Sequence, residues 1–224
     1  MPPWFLGFAK LLDFVAYTSL LLPFYLAHTR RTHLSGGLVA LRFLPVFHFG
    51  IYCLMHIANS VWRNNIPLIH FATIAETLIY LKVYHEEFTE TKIKKTIRYA
   101  AVAFLLFAFI DSIWLEKPPR INSYTNLFES ILIIGLALLF FEKIMVRHKQ
   151  LKLSRVPMFV ATVGIVIYLA GTVLLFLTTN YFIVLNDEFN LRLMYLVSSV
   201  LLLLLAVLLS RAFLLVRPTE TPLR

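Results

Sequence analysis

Six ionisable side chains stand inside long apolar runs of this chain: Asp13, His56, His70, Glu76, Asp111 and Glu129. Two imidazoles and four carboxyls can bind a divalent metal, relay protons or hold a charged ligand. Inside hydrocarbon such a group costs roughly 2.5–3.5 kcal/mol or more at a helix centre, so it faces the bundle interior or a wet cavity. Spacing narrows the choice. There is no His-x-x-x-His pair, no Glu-x-x-His of the di-iron bundles and no His-Glu-x-x-His of the zincins. His70 and Glu76 are six apart, about 120° around a straight helix, so they are not a chelating pair. The metal set that remains is His56, His70 and Glu129, with ligand types suited to Zn, Fe or Mn. Haem is disfavoured, because His48, His56 and His70 offer no second matched pair of axial ligands.

Polar residues three, four and seven apart share a helix face. Asn122, Asn126 and Glu129 form one such stripe, with Ser130 beside it. His48, Tyr52, His56 and Asn59 spiral along a second face; Lys10, Asp13 and Tyr17 lie on a third, and Arg192, Tyr195 and Ser199 on a fourth. Together these stripes predict the wall of a pocket. The bland alternatives are specific too: a Lys10–Asp13 ion pair, Asp111 capping a neighbouring helix end or pairing with Arg120 or Arg192, Asn122 and Ser123 as a helix N-cap, and His48 bonded to a backbone carbonyl.

The elements that must hold these groups are unusually apolar. Of 224 residues, 59% are apolar and 15% charged, with a mean hydropathy of +0.78. A soluble domain runs at about 45–50% apolar and about 25% charged. This excess excludes a soluble enzyme, a nucleic-acid-binding domain and a disordered tail. Seven runs reach the roughly 20 residues that a spanning helix requires: approximately 8–28, 37–59, 65–84, 97–116, 122–143, 157–180 and 191–214. The expected fold is all-α, a single polytopic domain of seven transmembrane helices over 1–224. The N-terminus lacks a basic signal-peptide n-region, so the first run is expected to stay as a span. Pro23, Pro45 and Pro67 each stand where they can kink a helix. The lone Cys53 excludes an internal disulfide and is read as packing.

Basic residues orient the bundle. One set of loops carries Arg30, Arg31, Lys92, Lys94, Lys95, Arg98, Lys143, Arg147, Lys149, Lys152 and Arg155, with Arg211, Arg217 and Arg224 in the tail. The other has only Lys10, Arg63, Lys117, Arg120 and Arg192. The positive-inside rule places the C-terminus in the cytoplasm and the N-terminus outside. Trp4, Trp62 and Trp114 then fall at the outer interface. Five of the six ionisable groups share the outer third of the membrane, with Glu76 nearer the middle, so the pocket is expected to open outward.

Known seven-helix chemistries can be tested by absence. A retinal protein needs a lysine in mid-helix 7, and 193–210 has none. Membrane hydrolases of the progestin-receptor and alkaline-ceramidase type carry a histidine pair in their last helix, whereas every histidine here precedes residue 149. No inverted repeat of a transporter is visible.

Asn64-Asn65 before His70 and Glu76, Asn122-Ser123-Tyr124 leading to Glu129-Ser130, and Val156-Pro157 through Tyr168, Gly171 and Asn180-Tyr181 together resemble a group of seven-helix membrane proteins common in Bacteroidetes-type bacteria. The resemblance covers nearly the whole chain. It implies a multi-pass protein of the bacterial inner membrane, similar to the sensory input modules of bacterial receptors. Those receptors carry a kinase or cyclase, so signalling here is expected to need a separate cytoplasmic or membrane partner. The expected function is non-enzymatic binding of a small ligand or ion by His56, His70, Glu76, Asp111, Tyr124, Asn126 and Glu129. The alternative is an intramembrane metal-dependent enzyme acting on a lipid-like substrate. A third reading has the polar groups merely pair across helices.

Overall fold

A computed structural model of the chain describes residues 3–116, 121–147 and 152–216, and every regular element in them is helical. The expected loop at 117–120 and the basic residues Lys149, Arg217 and Arg224 lie outside the described residues. Two prolines shape the beginning. Pro23 has no N–H to donate to Ser19, and the first helix divides into α1 (Pro3–Ser19) and α2 (Leu21–Thr29) at Leu20. Pro45 stands four residues after Leu41, and there the second run divides into α3 (Gly37–Leu41) and α4 (Phe43–Val61). Pro67 kinks nothing, because it falls in the first turn of α5 (Ile66–Glu87), where the missing donor has no partner to lose. α6 (Thr91–Ile110) ends in a π-helical turn, Asp111–Leu115, closed by Glu116 N–H on Asp111 O at 2.9 Å. Then follow α7 (Ser123–Arg147), α8 (Pro157–Val184) and α9 (Glu188–Leu215).

Six helices among the described residues are long and apolar enough to cross a membrane: Trp4–Thr29, Gly37–Val61, Ile66–Glu87, Thr91–Leu115, Pro157–Val184 and Glu188–Leu215. The expected run 122–143 corresponds to α7, which is 25 residues long and packs against α5, α6 and α8. α9 packs along α8, α1 and α2, and α5 sits among α3, α4, α6 and α7. The first helix begins five residues earlier than expected, so Asp13 lies about three turns from its start rather than one and a half.

One end of the bundle gathers the start of α1, the α4–α5 turn, the end of α6 and the α8–α9 turn; we call it the N-terminal end. Trp4, Trp62 and Trp114 all belong to it and are all exposed. Between the ends the outer surface is apolar: Phe14, Leu54, Phe71, Leu106, Leu138 and Leu174 are among its exposed side chains. A lipid environment accounts for a chain that is apolar inside and outside alike. The half away from the N-terminal end has a closely packed, largely apolar core, with Leu41, Leu44, Tyr84, Phe140, Ile165, Leu209 and Phe213 at 1% exposure or less. Arg30 closes that end by donating from Nη1 to the carbonyls of Phe213 (3.2 Å), Leu214 and Val216 (3.0 Å), at and just past the C-terminus of α9.

Small residues set the closest approaches. A Cβ on Gly37 would stand 2.6 Å from Val83 O of α5, and its N–H donates to Glu87 Oε2 at 3.0 Å. Gly164 and Gly171 on α8 face Leu208 and Leu201 of α9, so their close packing is made within the chain.

Candidate functional site

The polar stripes converge where the core opens into a cavity. A chamber of about 150 Å³ lies between α1, α4, α5, α7, α8 and α9 and runs toward the N-terminal end. Glu76 enters it from α5, Glu129, Asn126 and Ser130 from α7, His48 from α4 and Tyr168 from α8. The helical period explains this set. Asn126, Glu129 and Ser130 are three and four apart on α7, and Thr73 and Glu76 three apart on α5.

Electrostatically the chamber is one-sided. His48 Nε2 lies 3.3 Å from Glu76 Oε1, within ion-pair distance but off hydrogen-bond alignment. Its ring meets Tyr168 edge-on, with centroids 6.0 Å apart. Glu129 is 2% exposed, and no protein donor among the described residues is aligned on its Oε1. No lysine or arginine lines the chamber. A buried carboxyl oxygen left without a donor is costly, and its place on a cavity wall marks where a ligand can compensate it.

A second, wider chamber of about 300 Å³ lies beyond it, lined by Lys10, Asp13, Tyr52, His56, Arg192 and Ser199 among others. Tyr17, Met55, Ile69 and Tyr195 line both chambers and so form the wall between them. Tyr17 stacks on Tyr52 at 4.3 Å and 16°, and Tyr52 meets His56 at 4.4 Å and 73°, an aromatic ladder along that wall. Asp13 accepts from Ser199 Oγ at 3.1 Å. That bond to α9 stands where an ion pair with Lys10 was the bland expectation.

The expected site residues therefore divide. Glu76, Asn126 and Glu129 share the inner chamber. His56 is exposed in the outer one. His70 turns toward α6, where Nδ1 lies 3.2 Å from Ser112 Oγ, as its 120° offset from Glu76 implies. Asp111 turns away from the chamber to the start of α7, where its Oδ2 accepts from Thr125 Oγ1 at 2.5 Å and Thr125 N–H at 3.3 Å. Tyr124 is half exposed and lies beside Glu116 and Asn180 at a separate surface pocket. Among the described residues no group of three or more His, Cys, Asp or Glu side chains is placed to hold a metal. His56, His70 and Glu129 are accordingly not brought together.

Asp111 belongs to a cluster that holds the start of α7. Glu116 Oε2 accepts from Tyr124 N–H at 3.0 Å, so two carboxyls cap the free N–H groups of this helix, a role its own Asn122 and Ser123 were expected to fill. Asn180 of α8 ties the cluster together: Oδ1 accepts from Ile121 N–H at 3.0 Å, and Nδ2 reaches Glu116 Oε1 at 2.7 Å, Ile121 O at 2.8 Å and Ser123 Oγ at 2.8 Å. Burial pushes the Glu116 carboxyl above its ordinary value, against the pull of the Tyr124 N–H. Asp187, at the start of α9, is the opposite case: bonds from Asn190 N–H (3.1 Å) and Nδ2 (2.7 Å) hold it below the usual carboxylate value.

No protein-family model, curated protein or solved structure matches the chain. His48 and Tyr168 are among the wall residues that were not expected ligands. His48 had a plain reading as a buried, bonded histidine, and only its position opposite Glu76, across helices, distinguishes it.

Proposed function

We propose that this chain is a non-enzymatic membrane protein of seven spans that binds a small ligand or ion in its inner chamber and signals through a separate partner. One observation carries the reading: the buried, partnerless Glu129 Oε1 on the wall of a cavity beside a second carboxyl, Glu76. Several features support the topology. α7, at 25 residues, is long enough to span. The basic residues gather opposite the exposed tryptophans, which supports a topology with the N-terminal end outside and the C-terminus in the cytoplasm. Both chambers then lie on the outer side, above the packed apolar core of the inner half. The resemblance to bacterial sensory modules agrees with a receptor of the inner membrane whose output passes to a partner at the basic loops. A metalloenzyme would need its ligands gathered, and the described residues do not gather them.

The test is a thermal-stability screen of small molecules on protein in mild detergent, run in parallel on Ala72→Leu, which fills the chamber from α5. A ligand at 100 times its Kd adds about 2.7 kcal/mol, which raises Tm by about 5–10 °C for a chain of this size. Compounds that stabilise the wild type are expected to lose their effect in Ala72→Leu. Equal stabilisation of both proteins would remove the chamber from the function.

A further inference from the structure

Resting on that reading, we infer that the chamber's ligand is a small organic cation, a protonated amine carrying a short apolar body. The inner wall holds two carboxyls and one imidazole, with no lysine or arginine. His48 Nε2 stands 3.3 Å from Glu76 Oε1, whereas Glu129, the other carboxyl of the chamber, has no basic side chain within ion-pair distance among the described residues. An anion in this space would meet two carboxyls in a medium of low dielectric, the arrangement with the highest electrostatic cost. A bare metal ion would find too few converging ligands among the described residues. An ammonium group has donors to give Glu129 Oε1 and a charge to match it.

The rest of the wall suits the remainder of such a molecule. Ile51, Ile69, Leu169 and Leu175 supply apolar contact, and Tyr17, Tyr168, Phe176 and Tyr195 are rings of the kind on which cations rest. The volume sets the size. About 150 Å³ is the scale of a cavity that takes up benzene, hence a ligand of about six to eight heavy atoms. Lys10, Arg192 and Asp13 give the outer chamber both signs of charge. Selection for cations therefore falls to the inner chamber, behind the wall of Tyr17, Met55, Ile69 and Tyr195.

The deciding experiment measures binding to the full chain in detergent at neutral pH. Primary amines from ethylamine to cyclohexylamine are compared with the alcohols of the same skeleton, which match them in shape and lack the charge. The amines are expected to bind at least tenfold more tightly than their alcohols, with the preference lost in Glu129→Gln and all binding lost in Ala72→Leu. Amines and alcohols that bind alike, both abolished by Ala72→Leu, would overturn the cation and leave the ligand chamber standing. Amine binding that survives Ala72→Leu, or no binding by any amine, would overturn the cation site; the first result would overturn the chamber reading as well. Should Glu129→Gln fail to fold, the amine-to-alcohol ratio of the wild-type protein decides the matter alone.

Discussion

Gly37→Val is expected to destabilise the protein by about 3 kcal/mol, the upper part of the range for forcing extra carbon into a packed site. The added Cβ would meet the Val83 carbonyl oxygen at 2.6 Å, and that oxygen belongs to helical backbone with little room to retreat. Relief would mean moving α3 away from α5, which would break the Gly37 N–H bond to Glu87 Oε2 and open the packed end of the bundle. Gly50 is the control. A Cβ there meets nothing within 4 Å, and Gly50→Ala should be neutral or stabilising by up to about 1 kcal/mol through helix propensity. Thermal unfolding of both variants beside the wild type measures the difference. A Gly37→Val protein as stable as Gly50→Ala would mean that α3 and α5 do not approach so closely.

Asn180→Ala should cost about 2 kcal/mol and act at the opposite end of the molecule. One side chain there serves four groups on two other segments: the Glu116 carboxylate, both backbone groups of Ile121 and the Ser123 hydroxyl. Leaving buried partners unserved costs about 1–3 kcal/mol apiece, and partial exposure of Asn180 lets water return some of it. The expected sign is a lower Tm together with faster amide exchange in the first turn of α7, the turn that Asp111 and Glu116 cap. Exchange unchanged in that turn would show that the carboxyls hold it without α8.

These two sites differ in how far they can be read without a structure. Pro23 and Pro45 announce their breaks, because a residue without an N–H interrupts the helical ladder wherever it stands inside a helix. The exposed tryptophans and the basic loops are equally plain, since both answer to the membrane rather than to the fold. Within the site, Asn126, Glu129 and Ser130 are visible from helical spacing alone, and the 120° between His70 and Glu76 already separates their destinations. The Asn180 cluster is different. Asn180 and Glu116 are 64 residues apart, and nothing in either local pattern says that α6 ends against α8. Depth alone grouped Asp111 and His56 with Glu129. Depth leaves open the rotation of each helix, and rotation sends Asp111 to the start of α7 and His56 to the outer chamber. His48 carries the same lesson in reverse, for only the packing of α4 against α5 sets it opposite Glu76.

The most direct measurement is the accessibility of a cysteine placed at position 72, Ala72→Cys in a Cys53→Ser background, in membrane vesicles of known sidedness. A small, membrane-impermeant thiol reagent is applied from one face and then from the other. A chamber that opens at the N-terminal end predicts labelling from the face that bears Trp62 and Arg63, and none from the face that bears Lys143. Labelling from the Lys143 face, or none from either face in folded protein, would contradict an outward-opening chamber.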